Sequence, residues 1–407
     1  MMTEEMMHKV PKKDEKGERM RKKGENSRIS SKHNRGLILK LIATGQCHSR
    51  IELARETELT KMTITNIISE FRQQNIIVEA EELQNDVRGR NPITLEINKK
   101  APKVLGILVD ATYCEAILCD LKLHTIRRKR INYADDLNAE KLVEDVIELI
   151  DAMIEVEANL IGIGIASIGP VNINRGEILN PSNFYGIKNV MLADRLRQRY
   201  SYPIVMDSVA NSSALVEALF GAGKEEHDFI YLGLGDRIGS GVISQGELFR
   251  NSKGYAPEIG HVCIRPQGAL CTCGNRGCLQ SYASAQAVLK KLKTETKKDL
   301  TFREYCEMSS DEKVDKILHQ LMDDLLIAIV SSINILHPVS VILGDQGTYI
   351  PQKYLKYLEN QINTHKFVQG YTSIRVKHSS FRSDVTVFGA ACNVIMDLFT
   401  GEIELPF

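Results

Sequence analysis

Hydrophobic residues recur at intervals of three and four along the first hundred positions, which is the spacing of one face of a helix. A first helix begins at about Asn34, and its apolar positions are Leu37, Ile38, Leu41 and Ile42. The segment SRIELARETEL predicts a second, short helix with Ser49 as its N-cap. The residues of this helix that we expect to face inward are Ile51, Leu53 and Ala54.

The segment TKMTITNIISEFRQQN predicts a third helix, for which Thr60 is the N-cap. Its apolar positions, which we expect to be buried, are Met62, Ile64, Ile67, Ile68 and Phe71. Its polar positions, which we expect to face outward, are Lys61, Thr63, Thr65 and Asn66. The following segment, IIVEAEELQNDVRGRNPITLEIN, indicates two strands around a loop whose tip carries Arg88 and Arg90.

Three helices and a β-ribbon with a basic tip are typical of a winged helix-turn-helix, which we place at residues 31–100. In this fold the second helix of the pair offers its polar side chains to base edges in the major groove. The wing arginines reach phosphates or a narrow minor groove. The predicted DNA-binding residues are Ser49, Thr60, Lys61, Thr63, Thr65, Asn66, Arg88 and Arg90. The alternative is a three-helix packing domain whose polar residues only face solvent.

From Lys103 onward the pattern alternates between short apolar runs and helical segments. VLGILVD, EAILCDL and TIRRKRIN predict three consecutive strands, and a helix and the buried strand LIGIGIA follow. A strand pair, DFIYLGLG and GSGVISQGELF, opens a second series that ends in the helix TVFGAACNVIMDLF. We therefore predict an α/β body at residues 101–407 with two lobes, roughly 103–207 plus the C-terminal helix, and 208–384. Ligands bind where strand ends meet at such a cleft.

Charge and cysteine content refine this picture. Residues 1–100 carry 20 Lys and Arg against 15 Asp and Glu, whereas the whole chain of 407 residues is balanced at 52 of each. The slightly basic front suits a polyanion partner, and residues 1–30, dense in charge, predict a flexible arm. The N-terminus lacks the apolar core of a signal peptide, and we find no apolar run of membrane-spanning length. Nine cysteines, an odd number, fit a reducing cytoplasm.

The stretch GHVCIRPQGALCTCGNRGCLQ contains a metal-ligand pattern, H-x9-C-x-C-x4-C, formed by His261, Cys271, Cys273 and Cys278. Three thiolates and one imidazole form a closed tetrahedral set that suits Zn²⁺. Because this set leaves no coordination position for water, we predict a structural zinc ion. The alternative is a group of free or redox-active cysteines, and Cys263 is expected to be a bystander in either case.

Several segments of the body resemble the ROK family, which groups sugar-responsive repressors with sugar kinases. These segments are GIGIASIGPVNINRGEILNPSNFYGI, SVANSSALVEALFGAG, EIGH and CTCGNRGCLQSYAS. The resemblance implies a duplicated actin-like, RNase H-like ATPase-type fold with a sugar between the lobes and a structural zinc loop beside the pocket. The winged helix in front is typical of the repressor branch of the family.

The same resemblance implies that kinase chemistry is lost. The family's catalytic base lies in a Glu-Asn-Asp-Ala-Asn string, and the matching string here places Val209 at the base position. Valine cannot accept a proton from a sugar hydroxyl. The glycine-rich phosphate loops are altered as well, since they contain Asp110, Asp236 and Asp345 where the family has small or uncharged residues. A carboxylate repels phosphate and blocks close approach of the backbone.

The sugar side of the resemblance is better preserved. The predicted ligand-binding residues are Asn180, Asn183, Ser208, Glu258, His261 and Gln280. Ser208 and Gln280 replace an Asn and a Glu of the family, so the resemblance implies a ligand other than glucose in its usual pose. The expected ligand is another sugar or a sugar phosphate, and the absence of any ligand is the alternative.

These observations favour a cytoplasmic transcriptional repressor that binds operator DNA as a homodimer, with a tetramer as an alternative, and that responds to a sugar or sugar derivative. Two other functions stay open at this point. One is an ATP-dependent sugar kinase that carries a DNA-binding head. The other is a DNA-binding regulator that needs no ligand.

Overall fold

The computed structural model describes residues 27–81, 93–251, 254–365, 367, 370 and 372–405. The helices of this part of the chain are α1 Ser27–Ala43, α2 Arg50–Thr57, α3 Lys61–Gln73, α4 Ala139–Ile154, α5 Leu192–Arg197, α6 Val209–Phe220, α7 Gln280–Ala283, α8 Ala285–Thr296, α9 Phe302–Glu307, α10 Glu312–Leu336, α11 Gln352–His365 and α12 Val385–Thr400. The strands are β1 Ile77–Glu81, β2 Ile93–Ile97, β3 Lys103–Val109, β4 Tyr113–Cys119, β5 Thr125–Asn132, β6 Leu160–Ser167, β7 Val171–Asn172, β8 Glu177–Ile178, β9 Ile204–Ser208, β10 Phe229–Leu234, β11 Ile238–Ser244, β12 Glu247–Leu248, β13 Ser340–Asp345 and β14 Arg375–His378.

Residues 27–81 and 93–97 form three helices and the antiparallel pair β1–β2, in which Ile77 is opposite Ile97. Two side-chain caps set the helix starts, as the sequence predicts. The hydroxyl of Ser49 accepts a hydrogen bond from the backbone N–H of Glu52, and the hydroxyl of Thr60 accepts one from Thr63. We refer to α1–α3 and β1–β2 as the head.

Three expectations about the head are wrong. Helix α1 begins at Ser27 rather than near Asn34. Ile51 and Met62, expected in the core, are 79% and 75% exposed. Each is the second residue of its helix and lies roughly 200° around it from the buried Leu53 or Ile64, at about 100° per residue. Ile51 and Met62 therefore lie on the side of each helix that faces away from its buried residues. Because side chains tilt toward the N-terminus of a helix, these two also project beyond the end of the helix that packs in the core.

The first lobe of the body is a five-stranded sheet with the order β5-β4-β3-β6-β9. β3, β4 and β5 form an antiparallel meander, and β6 and β9 continue the sheet in parallel to β3. Alternate residues along β3 face opposite layers. Leu105 and Ile107 pack with α4 and α5, whereas Val104 and Leu108 pack with α12.

The second lobe repeats this arrangement in the order β12-β11-β10-β13-β14, with an antiparallel meander followed by parallel strands. Its outer face packs with α8, α10 and α11. Between the two sheets lie α6 and α12, which touch so closely that a Cβ at Gly389 would be 2.6 Å from the backbone of Ser212. The body therefore has the mixed α/β architecture of two similar lobes that the sequence predicts.

Helix α10, with 25 residues, is the longest helix of the described chain. Within the described chain it is the single helix whose length and composition would allow it to cross a bilayer. Half of its apolar window is buried inside the fold, where it packs with α8 and α11.

The head contacts the body through α1, which packs on α12. A Cβ at Gly36 would be 2.2 Å from the backbone oxygen of Phe399, so any larger residue would force these helices apart. The ammonium group of Lys224 also donates to the carbonyl oxygen of Thr44 at the end of α1, with an N–O distance of 2.5 Å. Head and C-terminal helix therefore share a tightly packed interface.

Candidate ligand cleft and metal cluster

A cavity of about 580 Å³ lies between the lobes, at the carboxyl ends of their parallel strands. The first lobe contributes residues at or just beyond the ends of β3, β6 and β9, among them Asp110, Pro170 and Ser208. The second lobe contributes the turn between β10 and β11 and the end of β13. A cavity of this size can enclose a sugar.

Five of the six predicted ligand residues line this cavity: Asn180, Ser208, Glu258, His261 and Gln280. Asn183 does not. It lines a separate cavity of about 240 Å³ together with Tyr185 and Gln286. Asn183 adopts φ 54°, and the backbone turns there so that this side chain leaves the wall shared with Asn180.

Glu258 precedes the short turn Ile259–His261, and its side chain keeps solvent access through the cavity. Partial burial in the cavity wall raises the pKa of this carboxylate, while His261 and Arg237 act in the opposite direction. The Glu258 carboxylate and the Asn180 and Gln280 amides supply this end of the cavity with both hydrogen-bond donors and acceptors. We call it the polar end.

An aliphatic side chain occupies the position at which the family's kinases have their catalytic base. Val209, the first residue of α6, is on the cavity wall. The neighbouring carboxylate of Asp207 is 2% exposed and its oxygens are engaged. One accepts from the Asn211 amide at 2.9 Å, and the other forms an ion pair with Arg250. Arg250 is 43 positions away, and no sequence signal linked the two residues.

Another part of the cavity lining, which we call the acidic end, brings together Asp110, Asp236 and Asp345 from three different strand ends. Burial, followed by repulsion from Asp110 and Asp236, raises the pKa of Asp345 to about 6. Burial also raises the pKa of Asp110, with a further contribution from Asp236. Arg237, a residue that the sequence analysis did not assign to the site, is the single lysine or arginine among the described lining residues.

Asp345 occupies a backbone conformation that favours glycine, with φ 53° and ψ −131°. Such a conformation costs a non-glycine residue about 1–3 kcal/mol. Its carboxylate is also close to the neighbouring turn, since a Cβ at Gly235 would be 2.4 Å from Oδ2. The acidic end therefore combines clustered charge with local strain.

The four predicted metal ligands converge beside the polar end. The ligand atoms of His261, Cys271, Cys273 and Cys278 all lie within 4.8 Å of one another, whereas the exposed Cys263 is not part of this cluster. The sulfur of Cys271 is 3.7 Å from Nδ1 of His261, and the sulfurs of Cys273 and Cys278 are 3.7 Å apart. The Gln280 amide donates to the Cys271 sulfur at 3.4 Å, which links the cluster to the cavity wall.

The thiols of this cluster have opposite tendencies to ionise. Burial opposes ionisation of Cys271, but hydrogen bonds from Cys273 and Cys278 lower its pKa to about 6. Burial and the neighbouring thiols raise the pKa of Cys278 to about 12. Zn²⁺ binds the thiolate form of cysteine, so metal binding at this cluster would release protons. Donor set and spacing fit a tetrahedral Zn²⁺ site.

The loop that carries the cysteines is fixed to the second lobe. Arg265 pairs with the buried Asp324 of α10 at 2.5 Å and lies over the ring of Tyr282 at 4.2 Å. Gly277 adopts φ 78°, and a Cβ there would be 1.7 Å from the Arg265 carbonyl oxygen. The turn between Cys273 and Cys278 therefore requires glycine at this position.

The candidate DNA-binding residues lie on the exposed N-terminal part of α3 and on the caps. Lys61, Thr65 and Asn66 are exposed and Thr63 is half-buried. The hydroxyls of Ser49 and Thr60 are occupied as helix caps, and that of Thr65 donates to the Lys61 carbonyl oxygen at 2.8 Å. Arg88 and Arg90 lie outside the described residues, as do residues 1–26 of the predicted arm.

Two lobes that repeat one strand order, with polar side chains and glycine-rich turns lining the cleft between them, define a sugar-kinase-like α/β protein. The sequence profile of the ROK family matches residues 104–396, and the chain belongs to this family. The membership predicted from its motifs is confirmed.

Individual relatives cover both branches of the family. Over 398 residues the chain is 27% identical to a protein named xylose repressor from Caldicellulosiruptor bescii, covering 92% of this chain and 98% of that one. It is 34% identical over 230 residues to the glucokinase of Thermotoga maritima, covering 51% and 72%. A solved ROK family transcriptional regulator, described as a homolog of the E. coli MLC protein, shares the fold with a TM-score of 0.78 at 23% identity, covering 92% and 98%.

Proposed function

We propose that this protein is a DNA-binding transcriptional repressor whose sugar-kinase-like body senses a sugar and has no kinase activity. The observation that carries this proposal is the combination of a head with exposed polar residues on α3 and a cleft in which Val209 lines the base position. The names of the relatives that match along nearly the whole chain support it. We place the protein in the cytoplasm as part of the same proposal.

The head acts as a winged helix-turn-helix in this proposal. Its α3 enters the major groove and presents Lys61, Thr65 and Asn66 to the DNA. Ser49, Thr60 and Thr63 lie at the starts of α2 and α3, which approach the phosphate backbone of the DNA. The exposed Met62 adds an apolar side chain of the kind that contacts thymine methyl groups. Arg88 and Arg90 of the wing are proposed to contact phosphates.

The metal cluster is proposed to hold a structural zinc ion. His261, Cys271, Cys273 and Cys278 would fill its coordination sphere and leave no position for a substrate. The ion would stiffen the loop that carries His261 and Gln280, so that cavity shape depends on metal binding.

Loss of kinase activity is proposed from the chemistry of the cleft. Val209 cannot accept a proton, and Asp207 is held by Asn211 and Arg250 outside the cavity lining. The competing function, a sugar kinase with a DNA-binding head, predicts sugar-dependent release of ADP from ATP. The purified protein is expected to release none with any sugar of a panel that includes xylose and glucose.

Two copies of the chain are proposed to bind a pseudo-palindromic operator, because a symmetric dimer presents two heads to two half-sites. Sugar binding that favours one lobe arrangement would change the head spacing and weaken DNA binding. Light scattering of the purified protein tests the dimer, and a mass of one chain would contradict it.

The deciding experiment is a gel shift with the DNA upstream of the protein's own gene, at fixed salt, with and without sugars. We expect retardation that one sugar abolishes. The double variant Thr65→Ala/Asn66→Ala is expected to lose at least tenfold in affinity, and Lys356→Ala on α11, far along the chain from the head, serves as its control. Absence of sequence-specific binding would refute the repressor function. Binding that no sugar changes would favour a regulator that needs no ligand.

A further inference from the structure

The lining of the inter-lobe cavity is unbalanced in charge. Among the described residues on its wall, four carry a carboxylate and one carries a guanidinium group. The carboxylates belong to Asp110, Asp236, Asp345 and Glu258, and the guanidinium belongs to Arg237. Arg237 is itself surrounded by Asp110, Asp236 and Glu258, which attract its charge. Its positive charge is therefore opposed by three carboxylates of the same cavity wall.

The acidic residues lie at strand-end turns of the kind that bind phosphate in α/β folds. Asp110 follows β3, Asp236 is in the turn between β10 and β11, and Asp345 ends β13. These turns converge on one end of the cavity, and backbone N–H groups of such turns are the usual phosphate ligands in α/β folds. Here each turn presents a carboxylate to the same space.

Asp345 carries its charge at a cost in stability. Its backbone has the glycine-type angles φ 53° and ψ −131°, and its half-buried side chain lies on the cavity wall with Asp110 and Asp236. Glycine at this position would relieve both strain and repulsion. An aspartate in this environment changes what the cavity can accept.

We infer that the cleft binds an uncharged sugar and excludes phosphorylated sugars and nucleotides. This inference rests on the proposed sensing function and names the class of its ligand. A sugar places only hydroxyls against Glu258, Asn180 and Gln280, and hydroxyls can donate to the carboxylate. A phosphate group at the acidic end would meet three like charges on the cavity wall, and Coulomb repulsion from them would oppose its binding.

The test compares matched ligands by isothermal titration calorimetry on the full-length protein. The uncharged ligands are D-xylose and D-glucose, and the charged ones are xylose 5-phosphate, glucose 6-phosphate, and ATP with and without Mg²⁺. We expect one uncharged sugar to bind and its phosphate to bind at least a hundredfold more weakly. The triple variant Asp110→Asn/Asp236→Asn/Asp345→Asn should reduce this ratio of affinities, sugar over sugar phosphate, at least tenfold. It should change the affinity for the uncharged sugar less than threefold. Glu312→Gln, an exposed carboxylate at the start of α10, should leave the ratio unchanged.

The outcomes separate this inference from the proposed function. A sugar phosphate or ATP that binds the wild-type protein as tightly as the parent sugar overturns the inference and leaves ligand sensing intact. A folded triple variant with an unchanged ratio also overturns it. If the triple variant does not fold, the ratio of the affinities for the sugar and its phosphate is measured on the wild-type protein at low and at high salt. Screening at high salt should reduce this ratio. If no compound binds, both the inference and the sensing function fail, whereas the gel shift still decides DNA binding.

Discussion

The two ends of the inter-lobe cavity are built on the same scaffold and differ in chemistry. The polar end keeps a carboxylate, an imidazole and amides of the kind that hold sugar hydroxyls, and a cysteine-rich loop supports it. The acidic end keeps the turns that would approach a phosphate but fills them with Asp110, Asp236 and Asp345. In such a fold, ligand recognition and phosphate binding depend on different strand ends. The residues of the acidic end can therefore change while those of the polar end stay the same.

The largest effect is expected at the loop behind the polar end. Cys278→Ser should remove the bound zinc completely and abolish sugar binding, because the remaining three ligands cannot hold the loop in place. Metal content by inductively coupled plasma mass spectrometry should fall from one zinc per chain to none. The matched control is Cys263→Ser, an exposed cysteine outside the cluster, which should keep its zinc. Equal metal content in both variants would contradict a zinc site here.

A smaller effect is expected at the polar end itself. Glu258→Gln should weaken sugar binding at least tenfold, because a charged acceptor of hydrogen bonds contributes about 1.5–3 kcal/mol. Titration calorimetry measures this loss. Asn183→Ala, a neighbouring residue that lines the other cavity, should leave affinity unchanged. A larger loss from the Asn183 variant would mean that the ligand occupies the smaller cavity.

The smallest effect concerns stability at the acidic end. Asp345→Asn should raise the melting temperature at pH 7.5, because the buried carboxylate is destabilising when ionised. A pKa of about 6 in place of 3.8 corresponds to at most about 3 kcal/mol. Since the folded protein binds this proton more tightly, the wild-type protein loses stability as pH rises through 6, and the advantage of the variant should disappear near pH 4.

Two further variants separate charge from strain at this position. Asp345→Gly should be stabilising at both pH values, since it also relieves a backbone conformation that costs about 1–3 kcal/mol. The exposed Asp135→Asn should show neither effect. Thermal denaturation monitored by circular dichroism at pH 4 and 7.5 distinguishes these cases. A destabilised Asn variant at pH 7.5 would mean that the ionised carboxylate has a partner.

Much of the fold follows from periodicity and caps that are local in sequence. Ser49 and Thr60 start their helices as predicted, and both meanders and the closing helix follow from alternating apolar runs. The wrong assignments of Ile51 and Met62 arose because hydrophobicity was taken as burial. The angle between each residue and its buried neighbours already points them away from the core.

The site was less predictable because its contacts join distant parts of the chain. The spacing of the cysteines made the metal cluster evident, since ligand patterns are short and specific. The separation of Asn180 from Asn183 depends on a backbone turn with positive φ, which a short polar stretch does not reveal. Likewise, the ion pair between Asp207 and Arg250 forms only when the two lobes meet.

The contact between Gly36 and Phe399 bears on how such proteins diversify and how they can be engineered. A head that is fitted this closely to the last long helix of its body is not an interchangeable module. A chimera that takes a new head from a relative would need its own small residue at the crossing point, or the partner helix together with it. Recombination that exchanges heads should therefore succeed most often when both ends of the gene are inherited together.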